Sequence, residues 1–287
     1  MNGNPQVNAE QSALWNSTSG RAWVVNQATL DRLFQPLEAF LMEPVQPGTA
    51  QRVLDVGCGT GAMTLAAARR LAPHGECTGL DISEPMLAIA RERAAREGVP
   101  ARFLRADAQT HAFAPASFDL ILSRFGVMFF DDPVAAFANL RLAARPGGAL
   151  RVIAWRSPAE NPFMTTPERA AAPLLPDLPV GQPDAPGQFA FANRDRVAAI
   201  LARSGWTDVN IGPIDVACTL AEKDLTNYIG WLGSVGRRLQ SADAQTRTQV
   251  VQTVRAAFAP YVQGSEVHFT AACWLIDARV PAEQAHV

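Results

Sequence analysis

The sequence predicts an α/β protein, a doubly wound fold built on a mostly parallel sheet. Three observations predict it. From residue 50 to 155 short apolar runs alternate with helical patterns, the mark of strand–helix–strand units. A Gly-rich stretch, Gly57-Cys58-Gly59-Thr60-Gly61, joins the first apolar run to the first helical pattern. Val267–Val280 then closes the chain with strand-like alternation.

The elements follow in order. Residues 11–43 read as helical, with Trp15, Trp23, Leu30, Leu33, Phe34, Leu37 and Phe40 at apolar positions. Gln51–Val56 is a buried strand, and Thr60–Leu71 an Ala-rich helix. Glu76–Leu80 is the second strand. A helix over Glu84–Glu97 follows, with Ser83 as N-cap, Pro85 in the first turn and Gly98 as stop. Ala101–Leu104 and Phe118–Leu122 are strands three and four. Asp132 caps a helix that has Pro133 in its first turn and runs to about Ala144. Pro146-Gly147-Gly148 reads as a turn, and Ala149–Trp155 as strand five.

Eight of the 21 prolines fall between Ser157 and Gln188. Residues 157–188 are therefore expected as an irregular Pro-rich loop, of the kind that forms lids or binding loops. Asn193–Ser204 is an amphipathic helix stopped by Gly205. Asp208–Leu220 reads as a strand bent at Gly212-Pro213, and residues 222–258 as a helical insertion that completes a lid or makes a homodimer contact. No internal repeat or low-complexity tract interrupts residues 1–287, so one domain is expected.

Composition excludes several classes. With 287 residues, 48% hydrophobic and 18% charged, the chain supports a substantial core. A net charge of −2 offers no field for nucleic acid or an anionic membrane. The 25 basic residues are all arginine except Lys223, which excludes mechanisms needing a catalytic lysine elsewhere. The polar N-terminus lacks the apolar core of a secretory signal, and no run is long enough to span a bilayer. Cys58, Cys77, Cys218 and Cys273 are scattered, as are His74, His111, His268 and His286. A cytoplasmic protein without a metal site is expected. Asp131 and Asp132 do not alter this, since solvation and helix capping account for them.

The Gly-rich turn carries the chemistry. Glycines between a strand and a helix let the backbone approach a ligand, and the helix N-terminus offers free N–H groups. Such a turn takes a pyrophosphate or an amino-acid carboxylate. GCGTGA (57–62) even satisfies a relaxed dinucleotide pattern. Asp81, closing strand two, can accept from both hydroxyls of a ribose. Asp107, closing strand three, can reach an adenine amino group. Asp55, two residues before Gly57, repels pyrophosphate and suits a cationic α-amino group.

The segments LDVGCGTG (54–61), LDIS (80–83), RADA (105–108), SFDLILS (117–123) and RPGGAL (145–150) occur in that order. With them the chain resembles the class I S-adenosylmethionine-dependent methyltransferases, most closely the small-molecule branch with the ubiquinone/menaquinone-biosynthesis C-methyltransferases. The resemblance covers residues 50–155, the expected cofactor-binding core, and extends more loosely to the C-terminus. It implies a Rossmann-like seven-stranded sheet with an antiparallel last strand, and S-adenosyl-L-methionine as cofactor. Cofactor contacts are then expected from Trp23, Asp55, Gly57, Cys58, Gly59, Thr60, Gly61, Asp81, Ile82, Met86, Asp107 and Ala108, with Ser123 near the transferable methyl. Residues 11–45, with Trp15, Gly20, Arg21 and Trp23, resemble a helical lid.

Missing motifs narrow the acceptor. Ser123-Arg124-Phe125-Gly126 stands where amino-methylating enzymes carry Asn/Asp-Pro-Pro-aromatic. No cysteine follows a proline, and a single lysine excludes the ribose-methylating Lys-Asp-Lys-Glu set. A small, largely apolar or aromatic acceptor is expected, bound by Arg124, Phe125, Met128, Trp155, Asn161 and Phe163, with Arg124 and Asn161 as polar anchors. His111 is the candidate general base. The competing readings are a non-transferase cofactor-binding protein, cyclase or isomerase on this fold, and a nicotinamide-dependent oxidoreductase.

Overall fold

The structure, a computed structural model, describes residues 8–179, 181 and 184–282. The polar leader before Asn8, His286, and Val180, Gln182 and Pro183 of the Pro-rich segment lie outside the described residues.

Five strands carry the cofactor-type motifs: β1 (Arg52–Val56), β2 (Glu76–Asp81), β3 (Ala101–Arg105), β4 (Phe118–Arg124) and β5 (Ala144–Trp155). β6 (Thr207–Ala221), the two-residue β7 (Val262–Gln263) and β8 (Glu266–Arg279) complete the sheet. The order is β3-β2-β1-β4-β5-β8-β6, with β7 paired to β8. β1 to β5 pair in parallel, and β8 runs antiparallel between β5 and β6. The seven main strands match the expected sheet. β1 and β4 are apolar and buried along their centres (Val53, Leu54, Leu120, Ile121, Leu122), as strands covered on both faces must be.

Helices flank this sheet. α1 (Ala9–Trp15), α2 (Thr18–Val25), α3 (Gln27–Phe34) and α4 (Glu38–Met42) precede it. α5 (Ala62–Leu71), α6 (Glu84–Glu97) and α7 (Pro133–Ala143) connect the parallel strands. α8 (Pro162–Ala171) and α9 (Arg194–Arg203) lie between β5 and β6, and α10 (Leu225–Trp231), α11 (Gly233–Leu239) and α12 (Ala244–Ala257) precede β7. Asp132 caps α7 by accepting from the Ala135 amide at 3.0 Å, and Asn193 caps α9.

Four local expectations differ from the structure. Ser83 precedes α6 without capping it; its hydroxyl donates to the Trp15 carbonyl at 2.6 Å. The Pro-rich segment contains α8, because Pro162 sits in the first turn, where a missing N–H costs nothing. β6 passes straight through Gly212-Pro213; as the edge strand it has no partner on that side for Pro213 to lose. Its irregularity falls between Thr207 and Asn210. Pro146-Gly147-Gly148 lies within β5, where the pairing jumps from Ala144 to Ala149 opposite Phe118 and Leu120.

Candidate active site

The order β2-β1-β4-β5 places a switch point between β1 and β4, and ligands in open α/β sheets bind at the carboxyl ends of strands there. A cavity of about 370 Å³ opens at that place, within the range of small-molecule sites.

Its floor is the Gly-rich turn. Gly57 has φ +68°, and a Cβ on it would lie 2.6 Å from the Gly126 Cα. Two backbones therefore meet where β1 and β4 end, and only glycine allows it. The Gly59 amide donates to Asp81 Oδ2 at 2.8 Å, and the Ser83 amide to Oδ1 at 2.8 Å. Asp55 accepts from the Thr64 hydroxyl at 2.6 Å. Burial pushes the pKa of both carboxyls up to about 6. Asp107 accepts from the Gln109 amide at 2.9 Å and from the Asn8 amide nitrogen at 3.2 Å on each oxygen. The three acids expected to recognise the cofactor thus share one cavity.

The roof comes from the N-terminal helices. Asn16 Nδ2 donates to the Ile82 carbonyl at 3.0 Å, and the Glu84 amide donates to Asn16 Oδ1 at 3.0 Å. Trp15 meets Phe129 edge-on at 5.0 Å. This clasp lays α1 and α2 over the loop that follows β2.

The far wall is aromatic. Phe125 stacks on Trp155 with centroids 4.2 Å apart and planes 7° apart. Phe125 is held at φ +65°, a strained backbone for a bulky residue. Phe34 meets both rings edge-on, and Phe163 continues the wall from α8. The Arg124 guanidinium lies 5.7 Å from the centre of the Phe34 ring. Burial lowers its pKa, and the charges of Asp31 and Asp55 oppose that.

Most expected site residues line this cavity: Trp23, Asp55, Gly57, Cys58, Gly59, Thr60, Asp81, Ile82, Met86, Asp107 and Ala108, and on the acceptor side Arg124, Phe125, Met128, Trp155 and Phe163. Four do not. Gly61 serves packing: with φ +87°, a Cβ there would sit 2.9 Å from the Ala90 methyl. Ser123 is fully buried; its hydroxyl donates to the Val56 carbonyl and accepts from the Gly126 amide, so it braces the turn. Asn161 is also fully buried, and its side chain exchanges two hydrogen bonds of 2.9 Å with the Ala272 backbone. It clips the start of α8 to β8. His111 packs edge-on against Phe113 at 4.7 Å, away from the cavity lining.

Reading by sequence missed Asn8, Gln11 and Ser19 of the roof, and Glu168, Tyr228, Trp231, Ser234 and Arg237 of the late helices. None belongs to a motif, and only folding brings them to the cavity. The Ser19 hydroxyl and Gln11 Oε1 are buried without a hydrogen-bond partner among the described residues. Unsatisfied polar atoms beside three carboxylates and a glycine cradle fit a polar ligand with an adenosine and an amino-acid end.

Comparison with known proteins agrees. Residues 53–148 match the methyltransferase domain family. Aklanonic acid methyltransferase DauC of Streptomyces sp. (strain C5) is 34% identical over 175 residues, 58% of this chain and 77% of that protein. Demethylmenaquinone methyltransferase of Thermus thermophilus is 39% identical over 113 residues, 39% of this chain and 51% of that enzyme. Among solved structures, YcgJ of Bacillus subtilis shares the fold with a TM-score of 0.55 at 18% identity, over 85% of this chain and 97% of its own. The [4+2]-cyclase SpnF shares it with a TM-score of 0.51 at 21% identity, over 89% of this chain and 82% of its own.

The chain belongs to the class I S-adenosylmethionine-dependent methyltransferases of the small-molecule kind. Its cofactor is S-adenosyl-L-methionine, and the dinucleotide alternative is set aside. Among the described residues no helix is long and apolar enough to cross a membrane, and no cluster of metal-ligating side chains occurs.

Proposed function

We propose that this protein transfers a methyl group from S-adenosylmethionine to a small, largely apolar or aromatic metabolite at carbon, nitrogen or oxygen. The observation that carries this reading is the continuity of one cavity. Asp55, Asp81 and Asp107 stand at one end, and the Phe125–Trp155–Phe163 wall at the other. The names of relatives that act on aklanonic acid and demethylmenaquinone support such an acceptor.

The cofactor supplies an electrophilic methyl on a sulfonium. The residues of this chain orient and enclose. In this reading Asp81 accepts from ribose hydroxyls, Asp107 meets the adenine edge, and Asp55 receives the α-amino group. Asn8 occupies Asp107 through its amide and must yield or share when adenine enters. The stacked rings fix the plane of a flat acceptor, and α1 and α2 exclude water, which raises the effective concentration of the two reactants. Tyr228 has its pKa pushed up to about 12 by burial; it serves as a hydrogen-bond donor rather than a base. With His111 away from the lining, positioning and desolvation carry the catalysis.

The test is calorimetry with S-adenosylhomocysteine, followed by a screen of aromatic acceptors for its release. Micromolar binding and turnover are expected. Binding without turnover on any acceptor would favour a cofactor-binding or cyclase role. Absence of binding would sink the proposal.

A further inference from the structure

The acceptor half of the cavity contains a cation that the methyl-transfer reading does not use. Arg237 projects from α11, within the inserted helices, and lines the cavity beside Trp231, Ser234 and Tyr228. Among the described residues its guanidinium makes no hydrogen bond and no ion pair. Glu168, across from it on α8, is engaged instead by the Ser234 hydroxyl at 2.5 Å. Burial lowers the Arg237 pKa, and Glu168 compensates only through its field. A half-buried guanidinium with its donors free is an arrangement that a ligand stabilises by completing those donors. Five N–H donors in a planar fork match a carboxylate better than any neutral group.

We infer that Arg237 is a specificity-determining residue and that the methyl acceptor is an apolar or aromatic organic anion, whose carboxylate Arg237 receives. The inference rests on the methyl-transfer reading, since it names the occupant of the acceptor half of that site. The aromatic wall takes the body of such a ligand. Arg237 takes its charge and disfavours a cationic acceptor, while the Ser234 hydroxyl holds the Glu168 carboxylate. A carboxylate could also come from the cofactor's own amino-acid end. Arg124, at the end of β4 and within the field of Asp55, is the other guanidinium that lines the cavity.

The experiment uses the full-length protein saturated with S-adenosylhomocysteine and two probes of one shape, 2-naphthoate and 2-naphthamide, compared by calorimetry. The wild type is expected to bind the carboxylate at least tenfold more tightly than the amide. Arg237→Gln should erase that preference while leaving affinity for the amide and for S-adenosylhomocysteine within about twofold. Equal binding of the two probes by the wild type overturns the inference, and that arm needs no variant to fold. A preference that survives in Arg237→Gln, or that disappears only in Arg124→Gln, also overturns it. If Arg237→Gln weakens S-adenosylhomocysteine and leaves the naphthoate preference intact, the carboxylate it holds is the cofactor's, and the inference fails. Loss of wild-type S-adenosylhomocysteine binding removes the underlying reading as well, so the two failures are distinguishable.

Discussion

Asp81 bonds to two backbone amides, those of Gly59 and Ser83, and so ties the Gly-rich turn to the loop after β2. Its carboxylate is both a structural acceptor and the proposed ribose partner. Asp81→Ala is expected to weaken S-adenosylhomocysteine by one to two orders of magnitude, about 1.5–3 kcal/mol for lost charge-assisted hydrogen bonds. Unchanged affinity in calorimetry would place the ribose elsewhere. The raised pKa values add a pH dependence. Asp55 and Asp81 have pKa near 6 in the free protein, and binding favours their ionised forms. Affinity should therefore rise with pH through about 6 and level off above it, with protons released on binding near pH 6. A flat profile between pH 5 and 8 would contradict the roles given to both acids.

The same two groups act on folding with the opposite preference. An unfolded Asp carboxyl titrates at about 3.9. Between there and about 6 the folded protein holds protons that the unfolded chain has released. Their contribution to stability is full at low pH and is lost as pH rises through about 6. Asp55→Asn should thus raise the melting temperature of the cofactor-free protein at pH 7.5, by about 1–3 kcal/mol of stability, while weakening the cofactor. A lower melting temperature would show that the Thr64 bond outweighs desolvation.

At the scale of elements, α8 is joined to the sheet by a hydrogen-bonded clip at Asn161 and by Phe163, which stacks on Phe269 of β8. Asn161 satisfies both backbone groups of Ala272 in β8 from a fully buried position. Asn161→Ala leaves the Ala272 amide without that partner, while the Ala272 carbonyl keeps the Arg156 amide, and a loss of about 1–3 kcal/mol is expected by urea unfolding. Affinity for S-adenosylhomocysteine should stay within about twofold, because Asn161 does not line the cavity. A large loss of affinity with little destabilisation would restore Asn161 to the site. The elements also differ in how far sequence revealed them. α6 was legible residue by residue, since Pro85 and Gly98 bound it. α8 was hidden, because a count of prolines does not say which of them sit in a first turn. Ser83 shows the same limit: a good capping residue was diverted by Trp15, 68 positions away in the chain.

For the molecule as a whole, the sheet supplies the cofactor end of the site and, through Arg124 and Trp155, part of the acceptor wall, and the helices and loops around it supply the rest. α1, α2, α8, α10 and α11 all reach the cavity, yet come from three separated stretches of chain. Adding S-adenosylhomocysteine should raise amide-exchange protection in α1 and α2, which clasp the Ile82–Glu84 loop. Central strands β1 and β4 should change little. Uniform protection across the sheet would instead mean that the ligand stabilises the fold globally.

The parallel sheet, the glycine turn and the three acids were readable because each is a local pattern: apolar period, strand-end position, residue type at short spacing. Cofactor class followed from them. The roles of Ser123, Gly61 and Asn161 were not, because whether a polar or small residue faces a ligand or a neighbouring backbone depends on what lies opposite. That is set by contacts such as Gly57 against Gly126 and Asn161 against Ala272. Of the acceptor pocket, the sequence indicated Arg124, Phe125, Met128, Trp155 and Phe163, and tertiary structure alone added Glu168, Tyr228, Trp231, Ser234 and Arg237. Its cations and aromatics come from segments joined only by packing, and no periodicity within any one of them records the meeting.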